Sequence, residues 1–250
     1  PKSYAQWYGH EHRALALQAE AVYGLTELKR VAVTKARLVA NPGCYATGAI
    51  AILRPLVDAG LLPKDFPVAL PSVSGYSGGG RSMIEDYEAG RAPLFEAYAL
   101  GLQHKHVPEI MKYAGLTRRP LFVPGVGNFR QGMLVQLPLH LDELPGRPQA
   151  ADLHNALQAH YARTEGGCVQ VCPASDDGKL DATALNDTNG LEIRVFGNEA
   201  QRQAVVIARL DNLADRHYAG SVIVNEGNSR FFEPAPGRTW LLGLNAGYTF

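Results

Sequence analysis

Neither sign of charge is in surplus in this sequence: Lys plus Arg and Asp plus Glu stand at 24 each in 250 residues. Without a net positive field, nothing holds the chain on a phosphate backbone or an anionic membrane surface, so nucleic acid and membrane are poor partners. No apolar run approaches the roughly 18 to 20 residues a membrane span needs, and no charged-then-apolar leader pattern opens the chain. The cytoplasm is the expected compartment. Cysteine is scarce. Cys44, Cys168 and Cys172 are an odd count, too few for a disulfide framework and without the paired Cys/His spacing of a zinc site. Internal repeats and low-complexity tracts are missing. So is any G-x-G-x-x-G after an early strand, which leaves the chain without a dinucleotide fingerprint of its own. What remains is a sequence 46% hydrophobic, enough for one large core or two modest ones.

Periodicity organises that apolar content. Residues 32–40 (AVTKARLVA) form a β-like run that stops at Asn41-Pro42-Gly43, and the small, apolar residues 45–57 have helical character. A second strand at 68–73 enters the glycine-rich loop SGYSGGGR, residues 74–81, and a helix through Tyr87 follows. Residues 121–141 predict two strands split by GVGNFRQG, residues 150–161 a helix, and LEIRVFGN with QAVVIARLDN a hairpin turned at Gly197-Asn198. The fold class this suggests is α+β, one mixed and mostly antiparallel sheet with helices on one face.

Three stretches carry residues able to do chemistry. Cys44 stands at the predicted start of a helix, where free N–H groups and the positive end of the helix dipole favour a thiolate. Pro42 and Gly43 before it permit a sharp strand-to-helix turn of the kind that presents nucleophiles. Cys also packs as a small buried hydrophobe, so its type alone does not decide the role. HKHVPEI, residues 104–110, supplies His104 and His106, either of which can relay a proton near neutral pH. A single His capping the helix and the other solvated is the plainer alternative; a metal site would need a third ligand, and none is evident nearby. Arg81, closing the glycine-rich loop, and Arg130, in GNFRQG, are two loop guanidiniums suited to a substrate with two anionic ends. Cys168 and Cys172 share one side of a short strand about 13 Å apart, too far for a disulfide.

The strings ANPGCYATGAIAILRPLV, PSVSGYSGGGRSMIEDYE, FEAYALGLQHKHVPEI, LFVPGVGNFRQGMLVQLPLHL and RLDNL, in this order, resemble the N-acetyl-gamma-glutamyl-phosphate reductase family, in its shorter sequence type. The resemblance covers residues 23–213, and the combination of GCYAT with HKHVPEI is highly specific. It implies a glyceraldehyde-3-phosphate-dehydrogenase-like catalytic domain. It also implies NADPH-dependent reduction of N-acetylglutamyl 5-phosphate to the 5-semialdehyde, within arginine biosynthesis. By that resemblance Cys44 carries the acyl group as a thioester and His106, with His104 as its rival, is the acid/base partner. Arg81 and Arg130 would hold the substrate's carboxylate and phosphate, while Ser74, Gly75 and Asn212 would lie near NADP. A homo-oligomer acting on a small acyl phosphate is expected.

Two departures from the family shape the expected organisation. Residues 1–30 match weakly where the family has a dinucleotide-binding domain, so most of that Rossmann domain is expected to be absent. Residues 31–213 are expected to form the catalytic and substrate domain. Residues 214–250, with prolines, glycines and no helical period, read as an atypical and poorly packed tail. Such a chain should hold the acyl-transfer machinery yet show little reductase turnover alone. The competing expectations are an aspartate-semialdehyde-dehydrogenase-like enzyme with the same thioester chemistry, a Cys-His hydrolase, and a non-catalytic remnant serving as an assembly surface.

Overall fold

The fold is taken from a computed structural model that describes residues 4–6, 9–162, 167–211, 219–224 and 230–234. A short helix α1 (Leu15–Glu20) leads to a small β-α-β unit in which β1 (Val22–Tyr23) pairs in parallel with β2 (Val39–Ala40) across helix α2 (Thr26–Val33). Helix α3 (Cys44–Asp58) follows, then β3 (Ala69–Gly75), a 3-10 turn (Tyr76–Gly79), α4 (Arg81–Glu88), β4 (Phe95–Ala97), α5 (His106–Ala114), β5 (Leu121–Gly127) and β6 (Met133–His140). The chain continues through α6 (Ala150–Tyr161), β7 (Val169–Cys172), β8 (Leu191–Asn198) and β9 (Gln203–Leu210). Strands β10 (Ala219–Val224) and β11 (Arg230–Pro234) form a separate antiparallel pair.

Seven strands make one sheet in the order β4-β5-β3-β6-β9-β8-β7. The β3/β5 and β7/β8 pairs are parallel and the other four antiparallel, which is the mixed, mostly antiparallel sheet expected from the sequence. Alternation along the strands separates two faces. Val135, Leu137, Leu139, Ile193 and Val206 are buried on the face that α3 and α6 cover, while α5 packs on α3. No helix among the described residues is long and apolar enough to cross a membrane.

Helix α3 is apolar nearly all round, with twelve of its fifteen residues buried, as a helix sandwiched between a sheet and other helices must be. It carries Pro55 in its interior. Proline has no N–H to give the carbonyl four residues earlier, and in a buried helix that carbonyl, Ala51, needs another donor. The hydroxyl of Tyr161, at the end of α6, supplies it at 2.7 Å. One hydrogen bond thus repairs α3 and docks α6 on it.

Elsewhere the local reading needs correction. Residues 32–40 are not one strand: α2 continues to Val33 and only Val39–Ala40 is extended. The β8/β9 hairpin does not turn at Gly197-Asn198; those residues are still paired with Ala204 and Gln203, and the chain reverses over 199–202. At 197–198 the ladder runs past a local turn signal, while at 32–33 the helix takes residues that carry a β signal. The helices at 45–57 and 150–161 and the strands on either side of 128–132 are as expected.

Tyr161→Phe should lower stability by about 1–3 kcal/mol by leaving the Ala51 carbonyl buried without a donor. Adding Pro55→Ala, which restores an N–H at that position, should recover most of the loss in urea denaturation; no recovery would mean that the hydroxyl is not substituting for the missing amide.

Candidate active site

Cys44 is the first residue of α3, with Gly43 extended before it (φ −67, ψ 144). The site is built by what presses on that turn. His106, the first residue of α5, is 9% exposed, and a Cβ placed on Gly43 would come within 2.3 Å of its Nε2. Only glycine lets the imidazole approach the residue preceding the cysteine so closely. One turn further along α5, Glu109 Oε1 accepts the Gly43 N–H at 2.9 Å and the Tyr23 hydroxyl at 2.8 Å. Tyr23 is held by β1 and by stacking on Tyr113, ring centroids 3.6 Å apart. Three elements remote in sequence therefore fix one backbone turn.

The two histidines divide their roles. His104 Nδ1 accepts the His106 backbone N–H at 3.1 Å and so caps α5, which commits its other nitrogen to carry the proton. The second imidazole is not solvated but buried, its ring 4.7 Å from that of His104, and its Nδ1 has no hydrogen-bond partner. Burial, then the charges of His104 and Lys105, bring the His106 pKa down to about 3. Burial pushes Glu109 above the usual carboxylate range, against the pull of the Gly43 N–H, the Tyr23 hydroxyl and Lys105.

Cys44 itself is exposed as a residue, yet its sulfur is crowded by protein atoms, and that desolvation raises the thiol's pKa. The N–H groups of Tyr45 and of Cys44, with Lys105, pull it down, and Glu109 pushes it up. The residue as a whole keeps surface open to solvent. The amides at the helix N-terminus pull the thiol's pKa in the opposite direction from burial, as their placement at the start of α3 implies.

Ser74, buried near the end of β3, hydrogen-bonds Tyr45, whose hydroxyl donates to the Gly125 carbonyl at 2.8 Å. Tyr98 joins Tyr45 there, and burial pushes its pKa up to about 12. Gly75 is closed by packing: a Cβ there would lie 2.5 Å from the Arg130 carbonyl oxygen. Beside it, Gly78 would meet only Ser74 Oγ at 3.5 Å and Gly80 nothing within 4 Å, whereas Gly79 between them is closed by Met83, whose sulfur a Cβ would approach within 2.1 Å. Arg130 pairs with Glu88 at 2.5 Å, and Arg81, 93% exposed, pairs along its own helix with Glu85 at 2.8 Å. Asn212 lies outside the described residues. The structure therefore packs His106, with His104 beside it, against Gly43, the residue before Cys44, and places Ser74 one residue from the Gly75 and Arg130 turn. Arg81 and Arg130 both bear on α4.

An open cavity of about 650 Å³ lies elsewhere, lined by Phe66, Ala69, Pro138, His140, Phe196 and Val205. By ladder register these residues sit at the start of β3 and the end of β6, away from the sheet end that carries Ser74 and Met133. It belongs to the open face, not to the cysteine. Sequence reasoning missed Glu109, Tyr23 and Tyr45 as parts of the site. The signal available was the three-residue spacing of Glu109 from His106, which puts both on one helical face; nothing local announces Tyr23.

A family model described as "Semialdehyde dehydrogenase, dimerisation domain" matches residues 44–212. Proteins named N-acetyl-gamma-glutamyl-phosphate reductase are similar in sequence. One from a Chelativorans species is 47% identical over 211 residues, 81% of this chain and 68% of that protein. One from Brucella ovis is 47% identical over 214 residues, again 81% and 68%. Among solved structures, aspartate semialdehyde dehydrogenase II from Vibrio cholerae matches with a TM-score of 0.57 at 12% identity, covering 85% of this chain and 70% of that one. The Francisella tularensis aspartate semialdehyde dehydrogenase gives 0.55 at 10%, covering 78% and 67%. At such identities the two structures show a shared fold alone.

Two outcomes follow from the geometry. Gly43→Ala should destabilise the chain by about 1–3 kcal/mol through overpacking on His106. Combined with His106→Ala it should cost less than the two changes summed, as a denaturation cycle would read. The second concerns acid. Unfolded His106 takes up its proton near 6.5 and folded His106 only near 3. Between those values the unfolded chain binds one more proton, so stability falls as pH falls. His106→Gln should remove up to about 1.4 kcal/mol per pH unit of that slope, read as unfolding free energy against pH from 6.5 downward. An unchanged slope would mean that the ring is not held neutral.

Proposed function

The chain belongs to the N-acetyl-gamma-glutamyl-phosphate reductase family, and on that premise we propose that it uses Cys44 to take the acyl group of N-acetylglutamyl 5-phosphate on the way to the 5-semialdehyde in arginine biosynthesis. The observation that carries this reading is the Gly43 turn, where a buried, neutral imidazole is packed against the residue before an accessible cysteine. A thiol held up and an imidazole held down form an uncharged pair at rest, with a proton acceptor already in its acceptor form.

The Cys44 sulfur attacks the acyl carbonyl, an S–C bond forms, the C–O bond to phosphate breaks, and inorganic phosphate leaves. His106 takes the thiol proton during attack; His104, bonded through Nδ1 to the helix backbone, positions it. The free amides at the start of α3 face the sulfur and the carbonyl oxygen that gains charge. Arg130 and Arg81 supply guanidiniums for the anionic ends of the substrate once released from Glu88 and Glu85. NADPH, when bound, would supply a hydride to the thioester's acyl carbon, whose C–S bond to Cys44 would then break to release the aldehyde and the free sulfur. Within the described residues Ser74 and the space beside Gly78 and Gly80 would receive the cofactor's ring and anionic oxygens, whereas Gly75 and Gly79 contribute close packing.

We assign residues 31–213 to this catalytic unit and place it in the cytoplasm. A second copy of the chain fits the open sheet face, where Val205 and Ile207 stand only half-buried.

Thioester formation needs no nucleotide and is the direct test. Mixing the chain with N-acetylglutamyl phosphate and quenching in acid should give one adduct on Cys44 by intact and peptide mass spectrometry. The adduct should be released by hydroxylamine, slowed at least about tenfold in His106→Gln and absent in Cys44→Ser. A folded chain that forms no adduct, or forms it equally well with aspartyl phosphate, would remove this substrate assignment.

A further inference from the structure

Arg209 is charged, lies on the sheet face away from the helices, and is nevertheless 9% exposed. Its Nη2 bonds Glu192 Oε1 at 2.7 Å and its Nη1 the Asp181 carbonyl at 3.2 Å. Glu192 is shared with Arg194 Nε at 2.6 Å, and Arg194 reaches on to the Pro173 carbonyl. The cover over Arg209 is the connection between β7 and β8, residues 173–190, which crosses the open face at the same end of the sheet as Ser74.

That connection touches the turn carrying Arg130. Gly132 (φ +106) is pressed by the Ala182 carbonyl so closely that a Cβ would come within 2.2 Å of its oxygen. Asn186 Nδ2 donates to the Gln131 carbonyl at 3.3 Å, and the Asp187 N–H donates to Asp211 at 2.9 Å. The turn in turn holds the glycine-rich loop: Gly75 N–H donates to the Gly132 carbonyl at 2.9 Å, Tyr76 N–H to the Phe129 carbonyl at 2.9 Å, and Ser77 N–H to the Arg130 carbonyl at 3.0 Å. An unbroken set of contacts runs from the Arg209 guanidinium to the backbone on which Arg130 stands, and from there to Ser74.

We propose that Arg209 is a positioning residue for the anion-holding side of the site, clamping residues 181–187 onto the 130–132 turn and so fixing where Arg130 and the glycine-rich loop meet substrate. This rests on the reading of Arg130 as a substrate ligand. Its role differs from that of Glu109, which holds the cysteine side through Gly43. The planar fork of arginine matters because one head must reach a carboxylate and a carbonyl on different segments, which a lysine ammonium does less well. Glu192 keeps Arg194 when Arg209 is changed, so the substitution does not strand a buried carboxylate.

The test uses the full chain and Arg209→Lys, with Asn186→Ala as a milder cut in the same path. The concentration of N-acetylglutamyl phosphate that half-saturates Cys44 acylation should rise about tenfold in Arg209→Lys, the loss of one charge-assisted hydrogen bond. It should rise less in Asn186→Ala. The maximal acylation rate and iodoacetamide alkylation of Cys44 should stay within about twofold, since the cysteine turn is held independently. Amide exchange at Gly75 and Ser77 should quicken in both variants. Unchanged half-saturation and exchange in folded variants, or a fall in alkylation in step with acylation, would overturn the clamp. If the unaltered chain is never acylated, the substrate reading fails, and exchange at Gly75 and Ser77 alone then decides whether Arg209 holds this backbone.

Discussion

The Glu109 carboxylate, buried between the Gly43 N–H and the Tyr23 hydroxyl, ties together three parts of the chain that have no local reason to meet. Gly43 ends the turn into α3, Glu109 belongs to α5, and Tyr23 belongs to the small parallel pair that precedes both. Removing a buried acceptor of two hydrogen bonds leaves both donors unsatisfied, so the arrangement is held by the cost of breaking it more than by the strength of either bond. The closeness of His106 to Gly43 depends on it. With the turn free to move, an imbalance of a few tenths of an ångström would separate the imidazole from the cysteine turn.

Burial then sets the electrostatics. The same enclosure that brings His106 against Gly43 lowers its pKa to about 3, raises Glu109 and raises Cys44. Desolvation acts against charge on both the thiol and the imidazole.

The sheet separates two tasks. Its helix-covered face is a dry core in which even the carbonyl left over by Pro55 finds a hydroxyl from Tyr161. Its open face carries an ion cluster, Glu192 with Arg194 and Arg209, that burial would punish were it not closed by mutual pairing. Burial pushes Glu192 up and the two guanidiniums more than offset it, leaving the carboxyl below its usual range. Family membership, including a match to a domain described as a dimerisation domain, accords with an open face that is not uniformly polar.

Much of this was legible in the sequence where the signal is local. The apolar, small-residue run after Cys44 determined a buried helix and placed the cysteine at its first residue, because an all-round apolar helix has one stable environment. HKHVPEI signalled a short helix, which begins at His106, and alternation determined β6, β8 and β9. At Gly197-Asn198 the ladder overrode a local turn signal, and at 32–33 helix α2 continued through residues with a β signal. The tertiary structure alone decided that Glu109 and Tyr23 belong to the cysteine turn and that His104 caps while His106 is buried. The physical reason is common to both. Sequence spacing specifies which residues share a helix or strand face, but hydrogen-bond partners and desolvation depend on which faces come together, and residues 23, 43 and 109 meet only after the chain has folded.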